Sequence, residues 1–233
     1  MFSYEGKKTL VTGAGRGIGR AIALAARSRD QLEEVAGEVR AVGRQAHVLP
    51  TDLLDVEQAR AMNGRDGRAA RAGQQRGRGG GRLGRLRPLS DATPEAFDGM
   101  YVLNLRSPLF ASIAAAKQMS CQGSGGAILN VVSIDAVFPA PTEALYGSAK
   151  AALVNLTRVL GYEAGKDRIR VDAIAPGVID TALTAPWLAT EEQRIDRASF
   201  YPIDRTGVPD DMAAAAVYLC SHEAEWVSGT CST

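Results

Sequence analysis

Cysteine is scarce in this 233-residue chain: Cys121, Cys220 and Cys231 are an odd number without metal-ligand spacing, which excludes a disulfide framework and a zinc ribbon. They read as reduced, small apolar side chains. A net excess of charge of either sign is also missing, since 27 basic against 26 acidic residues leave +1, so nothing draws the whole chain toward nucleic acid or an anionic membrane. No apolar run approaches the roughly 20 residues that span a bilayer. The opening MFSYEGKKTLVTGAG moves straight into folded-looking sequence without the zones of a signal peptide, so the expected location is the cytoplasm. Histidine is limited to His47 and His222, neither with a partner pattern, and no metal site is expected. What is present is 45% apolar and 23% charged, the balance of one globular domain over 1–233 rather than a disordered chain.

Lys8 to Thr12 is a β-favouring run that ends in glycines and leads into an Ala/Ile/Leu-rich helical stretch, as a βα unit opens. From Arg20, AIALAARSRDQLEEVAGEVRAVG keeps helical composition to Gly43, and no second strand appears where one is due. His47 to Leu49 is a brief strand candidate before Pro50. Residues 64–87 hold eight Gly and eight Arg with only Leu83 and Leu86 as large apolar side chains. Too little area can be buried there to offset the ordering entropy, so a basic, disordered loop is expected.

Thr93-Pro94 is a helix-start pair, N-cap then N1, opening a helix to about Met119 that carries Asn104 and that Pro108 is expected to kink. Ala127 to Val132 reads as a buried strand and Tyr146 to about Gly165 as a helix. Ile169 to Ala175 is a further strand, closed by Pro176-Gly177. A less ordered stretch from Ile179 to Gly207 then precedes a last helix, Asp210 to about Ser221. Strands alternating with helices of this length predict an α/β fold, a doubly wound parallel sheet.

Two constellations carry chemistry. Gly13, Gly17 and Gly19, with Arg16 and Ile18 between them, end a strand and open a helix, where backbone N–H groups and the helix dipole suit a pyrophosphate. The spacing is not the common G-x-G-x-x-G, so this is a related but distinct loop. Tyr146 and Lys150 stand four apart on a helix, on one face, where an ammonium close to a phenol favours the phenolate. Ser133, at the carboxyl end of a strand, is placed to hold a substrate oxygen at the mouth of the sheet.

These residues resemble the short-chain dehydrogenases/reductases, whose T-G-x-x-x-G-x-G, Ser, Y-x-x-x-K and later P-G all occur here in order. The resemblance covers most of the chain, including VLNL, ILNVVS, YGSAK and IRVDAIAPGVIDT. It implies a Rossmann-like fold and hydride transfer between NADP(H) and a secondary alcohol or ketone. Tyr146 is then the general acid/base, Lys150 lowers its pKa and bonds the nicotinamide ribose, Ser133 orients the substrate oxygen, and Asn104 supports a relay water. Pro176, Gly177, Ile179 and Thr181 match the carboxamide end of the cofactor, and Asp52 the adenine contact. Read without the resemblance, Asn104 is a buried amide bonded to backbone and Asp52 a helix cap. Relatives are commonly homotetramers, and the tail is similar to bacterial hydroxysteroid dehydrogenases and to 3-oxoacyl carrier-protein reductases.

The pattern departs from the family in three places. The second strand is absent, as if Leu24-Ala25-Ala26-Arg27 joined its tip directly to a shortened first helix; Arg27 is then the 2′-phosphate ligand, which favours NADP while leaving NAD open. The Gly/Arg stretch stands where a fourth strand and Asn-Asn-Ala-Gly belong. Read one base later, codons available to Gly73-Gln74-Gln75-Arg76-Gly77 encode Val-Asn-Asn-Ala, so a frame error is expected at the nucleotide level. An RNA-binding role for the stretch is disfavoured by its lack of aromatic residues. The last strand is expected to be missing after VSGTCST. The competing expectation, from another functional class, is therefore a non-catalytic or unstable remnant that keeps Ser133, Tyr146 and Lys150 but holds no cofactor.

Overall fold

A computed structural model describes residues 88–233 together with Val11, residues 16–22, Ala36, Gly37, Arg40, Ala41 and Asp55. Gly13, Arg27, Asp52, the strand candidate at 47–49 and the Gly/Arg stretch 64–87 lie outside the described residues. The chain divides into two compact units, one of residues 1–50 and 176–224, the other of residues 51–175 and 225–233.

In the second unit, α2 (Pro94–Tyr101) starts as the sequence predicts, with Thr93 Oγ1 accepting from Ala96 N–H at 3.2 Å and proline at the first helical position. A five-residue π-helical segment, Val102–Arg106, follows and runs into α3 (Ser107–Gln122). The expected kink at Pro108 is realised as this wider turn. Proline has no N–H with which to close an α-helical bond to the carbonyl of Asn104, and the extra residue per turn makes room for its ring. Gly123, at φ +67°, ends α3 in the left-handed region where a side chain is disfavoured.

The strands β1 (Gly126–Val131), β2 (Ile169–Ile174) and β3 (Cys231–Ser232) form a parallel sheet in that order. Gly126 pairs with Ile169 through to Val131 with Ile174, and Ala173 and Ile174 pair with Cys231 and Ser232. The expectation that the last strand is missing is corrected: two residues of it are present, held by Ala173 N–H on Thr230 O at 2.9 Å and Ala175 N–H on Ser232 O at 2.7 Å. The buried carboxylate of Asp172 pins the same segment, accepting from Thr230 N–H at 3.1 Å and pairing with Arg170 at 3.3 Å.

The helix α4 (Ala144–Ala164) crosses between β1 and β2, the right length for a parallel connection. Ile169, Val171, Ala173 and Ala175 alternate along β2 and so share one face. They meet Leu153, Val154, Leu160 and Ala164 of α4, Met119 of α3 and Val132, forming the core of this unit. Leu153 is 1% exposed.

In the first unit, α1 (Gly17–Ile22) packs against α6 (Pro209–Cys220). The stretch expected to be poorly ordered contains a helix, α5 (Glu191–Ala198). Thr190 and Gln193 close a capping box at its start, with Gln193 N–H on Thr190 Oγ1 at 3.2 Å. Its face is almost wholly polar, so apolar periodicity gave no sign of it. Among the described residues, no helix is long and apolar enough to cross a membrane.

Candidate active site

Ser133 stands two residues beyond β1, where the strand ends and a 3₁₀ turn, Ile134–Ala136, begins. It caps that turn, its Oγ accepting from Asp135 N–H at 3.2 Å while its proton goes to Asp135 Oδ2 at 3.1 Å. The turn lies hard against the start of α4. A Cβ on Gly147 would stand 2.7 Å from the carbonyl oxygen of Asp135, so only glycine admits this approach. Tyr146 precedes that glycine, and its phenol lies near enough to Ser133 for the serine hydroxyl to influence its titration.

Lys150 follows one turn later, with Nζ 5.6 Å from the centre of the Tyr146 ring and donating to Val131 O at 3.0 Å. The spacing read from the sequence thus brings Ser133, Tyr146 and Lys150 together. The expected electrostatics differ. Burial pushes the Tyr146 phenol up to about 12; the Ser133 bond pulls the other way, and the negative fields of Asp135 and Glu143 add to the rise. Burial also brings Lys150 down to about 8. Lys150, its ammonium drawn to the strand carbonyl, is not among the groups that act on the phenol in this arrangement. At neutral pH, Tyr146 holds its proton.

Asn104, half-buried on the π segment, donates its amide to Met100 O at 3.1 Å and meets Met100 Sδ at 3.1 Å. The bonded-to-backbone reading describes this position. Asn130, by contrast, links side chains, Thr157 at 3.0 Å and Ser112 at 3.2 Å, inside the core.

Asp135 and Glu143 were not visible as a pair in the sequence. Burial, reinforced by the charge and hydrogen bond of Asp135, raises the Glu143 carboxyl to about 7. Thr142, just before it, takes φ +71°, a left-handed conformation uncommon for a β-branched residue. The pH consequence follows from the sign of the shift. A carboxyl whose folded pKa is raised from 4.5 to about 7 contributes stability that is present below 4.5 and lost as pH rises through 7. Glu143→Gln should therefore flatten the fall in stability over that window. At pH 8 it should stabilise the chain by about 1 kcal/mol, allowing for partial exposure, read as melting temperature against pH. An unchanged slope would show that Glu143 is ionised throughout.

In the first unit, Gly17 opens α1 at φ +55°, and a Cβ there would lie 3.3 Å from Thr181 Cγ2. The predicted cofactor residues Gly17 and Thr181 are thus neighbours, with Arg16 exposed and Ile18 and Gly19 partly buried beside them. Thr181 N–H donates to Thr184 Oγ1 at 3.0 Å, and Thr184 Oγ1 donates to the carbonyl of buried Ile179. Ile179 also bridges to Gly207.

Gly177, after Pro176, is covered by Tyr201: a Cβ would meet the ring at 2.6 Å, and Tyr201 Oη accepts from Val178 N–H at 2.6 Å. This bond to the backbone spans 23 positions, and no spacing rule announces it.

A family model described as Enoyl-(Acyl carrier protein) reductase matches residues 13–233, running through both units. An uncharacterized oxidoreductase of Mycobacterium tuberculosis is 34% identical over 249 residues, covering 98% of this chain and 90% of the relative. Versicolorin reductase 1 of Aspergillus parasiticus is 31% identical over 255 residues, covering 97% and 93%. Among solved structures, a candidate NAD(P)-dependent gluconate 5-dehydrogenase from Beutenbergia cavernae, with NADP bound at low occupancy, superposes with a TM-score of 0.86 at 30% identity. It covers 99% of this chain and 96% of that one. The α/β fold with a doubly wound parallel sheet, expected from the sequence, is the fold of this chain.

Proposed function

The chain belongs to the short-chain dehydrogenase/reductase family, and from that premise we propose that it interconverts a secondary alcohol and a ketone, with NADP(H) preferred over NAD(H). The observation that carries the reading is the convergence of Ser133, Tyr146 and Lys150 where β1 meets the first turns of α4. NADP(H), when bound, supplies or takes up the hydride at its nicotinamide ring. Tyr146 gives its phenol proton to the substrate oxygen in reduction and takes it back in oxidation. Ser133 holds that oxygen, Lys150 bonds the nicotinamide ribose, and Asn104 supports the relay of protons to water.

The residues present fit such a cofactor. Gly17 keeps a backbone conformation and a close approach that a side chain would spoil, as a phosphate-cradling turn requires. By the family motif, Gly13, Arg16, Ile18 and Gly19 would hold the pyrophosphate together with it. Pro176, Gly177, Ile179 and Thr181 take the carboxamide end, Asp52 the adenine and Arg27 the 2′-phosphate.

Titration of the purified chain with NADPH and NADH, followed by intrinsic fluorescence and thermal shift, tests this reading. Saturable binding with at least a tenfold preference for NADPH is expected, and Arg27→Ala should erase the preference. A panel of steroid, aromatic, sugar-acid and acyl-thioester ketones then identifies the substrate class. Failure to bind either cofactor would reject the reading in favour of a non-catalytic remnant.

A further inference from the structure

The roles above give Pro176, Gly177, Ile179 and Thr181 to the carboxamide end of the cofactor and leave Tyr201 without a task. Residues 178–181 carry four backbone N–H groups, and three of them are taken. Val178 N–H goes to Tyr201 Oη at 2.6 Å, Asp180 N–H to Gly207 O at 2.9 Å and Thr181 N–H to Thr184 Oγ1 at 3.0 Å. Among the described residues nothing accepts from Ile179 N–H, although Ile179 is only 5% exposed. A backbone N–H left without an acceptor in a buried residue costs free energy until a ligand supplies one. A carboxamide oxygen is such an acceptor.

The peptide planes on either side of Val178 set the direction of that amide. The plane that carries Ile179 N–H also carries Val178 O, which accepts from Gly207 N–H at 3.0 Å. The preceding plane carries Val178 N–H and is held by Tyr201, whose ring lies so close to Gly177 that a Cβ there would stand 2.6 Å from Cε1 and 2.7 Å from Oη. Tyr201 is itself set by the end of α5. Its N–H bonds Ala198 O at 2.9 Å, and its carbonyl accepts from Asp204 N–H at 2.9 Å. Arg194 of the same helix pairs with Asp180 at 2.7 Å.

We propose that Tyr201 is a positioning residue for the cofactor: by taking Val178 N–H and covering Gly177, it fixes the backbone that presents Ile179 N–H to the carboxamide oxygen. The inference rests on the assignment of residues 176–181 to the cofactor made above. Tyr201 acts through the backbone of Val178.

Two ligands separate this role from general support of the fold: NADPH, and 2′-phospho-ADP-ribose, which has the same phosphates, riboses and adenine but no nicotinamide. With Tyr201→Phe the ring still covers Gly177 and only the hydroxyl is lost. The dissociation constant for NADPH should rise about fivefold, the worth of one hydrogen bond, while that for 2′-phospho-ADP-ribose stays as in the parent chain. An unchanged NADPH constant, or an equal loss for both ligands, would reject the positioning role and leave the oxidoreductase reading intact. If Tyr201→Phe does not fold, amide hydrogen exchange on the parent chain decides. Val178 should be protected without ligand, and Ile179 should gain protection from saturating NADPH well beyond what saturating 2′-phospho-ADP-ribose gives. An unprotected Val178 amide, or an Ile179 amide indifferent to the nicotinamide, would reject the role. A parent chain that binds neither ligand would instead reject the cofactor reading, and this inference with it.

Discussion

Tyr146→Phe should lower kcat for ketone reduction by about 10²- to 10⁴-fold, the usual worth of a positioned acid–base group. The argument is geometric first. The phenol stands beside the Ser133 hydroxyl on the first turn of α4, and it keeps its proton at neutral pH, being held up at about 12 by burial. Phenylalanine keeps the ring, its packing and its 5.6 Å spacing to Lys150 Nζ, and removes only the hydroxyl. Cofactor affinity should therefore change by no more than a few-fold, and the melting temperature by a few degrees at most, since one hydrogen bond is worth about 1 kcal/mol. Single-turnover measurement of NADPH oxidation separates the lost chemistry from lost binding. A variant that retained more than about a tenth of parental kcat would place the proton donor elsewhere.

Gly147→Val should both destabilise the chain and disable the site. At this buried position a Cβ would lie 2.7 Å from the carbonyl oxygen of Asp135, with 3.5 Å to its carbonyl carbon. The neighbour is backbone, so it cannot swing aside as a flexible side chain does. Either the 3₁₀ turn or the start of α4 must move, at a cost of about 1–3 kcal/mol for overpacking, which exceeds the gain of about 0.4 kcal/mol from replacing a helical glycine by valine. A fall of about 2–9 °C in melting temperature is expected for a chain of this size. Because the displaced turn begins at Ser133, kcat should fall with it: about 10²-fold for a shift near 1 Å. Gly147→Ala should show the same two effects in smaller measure. Thermal melts and kcat on one preparation check the coupling, and a variant that melted higher with unaltered kcat would mean that the turn does not bear on the helix.

Much of the site was legible before any coordinates. The four-residue spacing of Tyr146 and Lys150 needs only a helix to become a shared face, and α4 is rich enough in Ala and Leu to be one. Ser133 was readable because a short apolar strand followed by polar residues marks the carboxyl end of a parallel strand. Thr93-Pro94 announced a helix start through local chemistry. The helix at 191–198 was legible too, through Thr190 and Gln193, but polarity concealed it from a search for apolar period.

The sequence alone determined, then, what depends on neighbours along the chain: the alternation of strands and helices, the caps, the glycine-rich turn and the spacing of the proton-handling residues. Tertiary structure decided what depends on partners far apart in it. Lys150 donates to Val131 across 19 positions, Tyr201 reaches Val178 across 23, and Thr230 reaches Asp172 across 58. It decided also that Tyr146 keeps its proton, because a pKa answers to burial and to every charge within a few ångströms, and neither quantity is written in the spacing of one motif. A hydrogen bond between distant residues exists only once the backbone has closed the loop between them, so no local period can encode it.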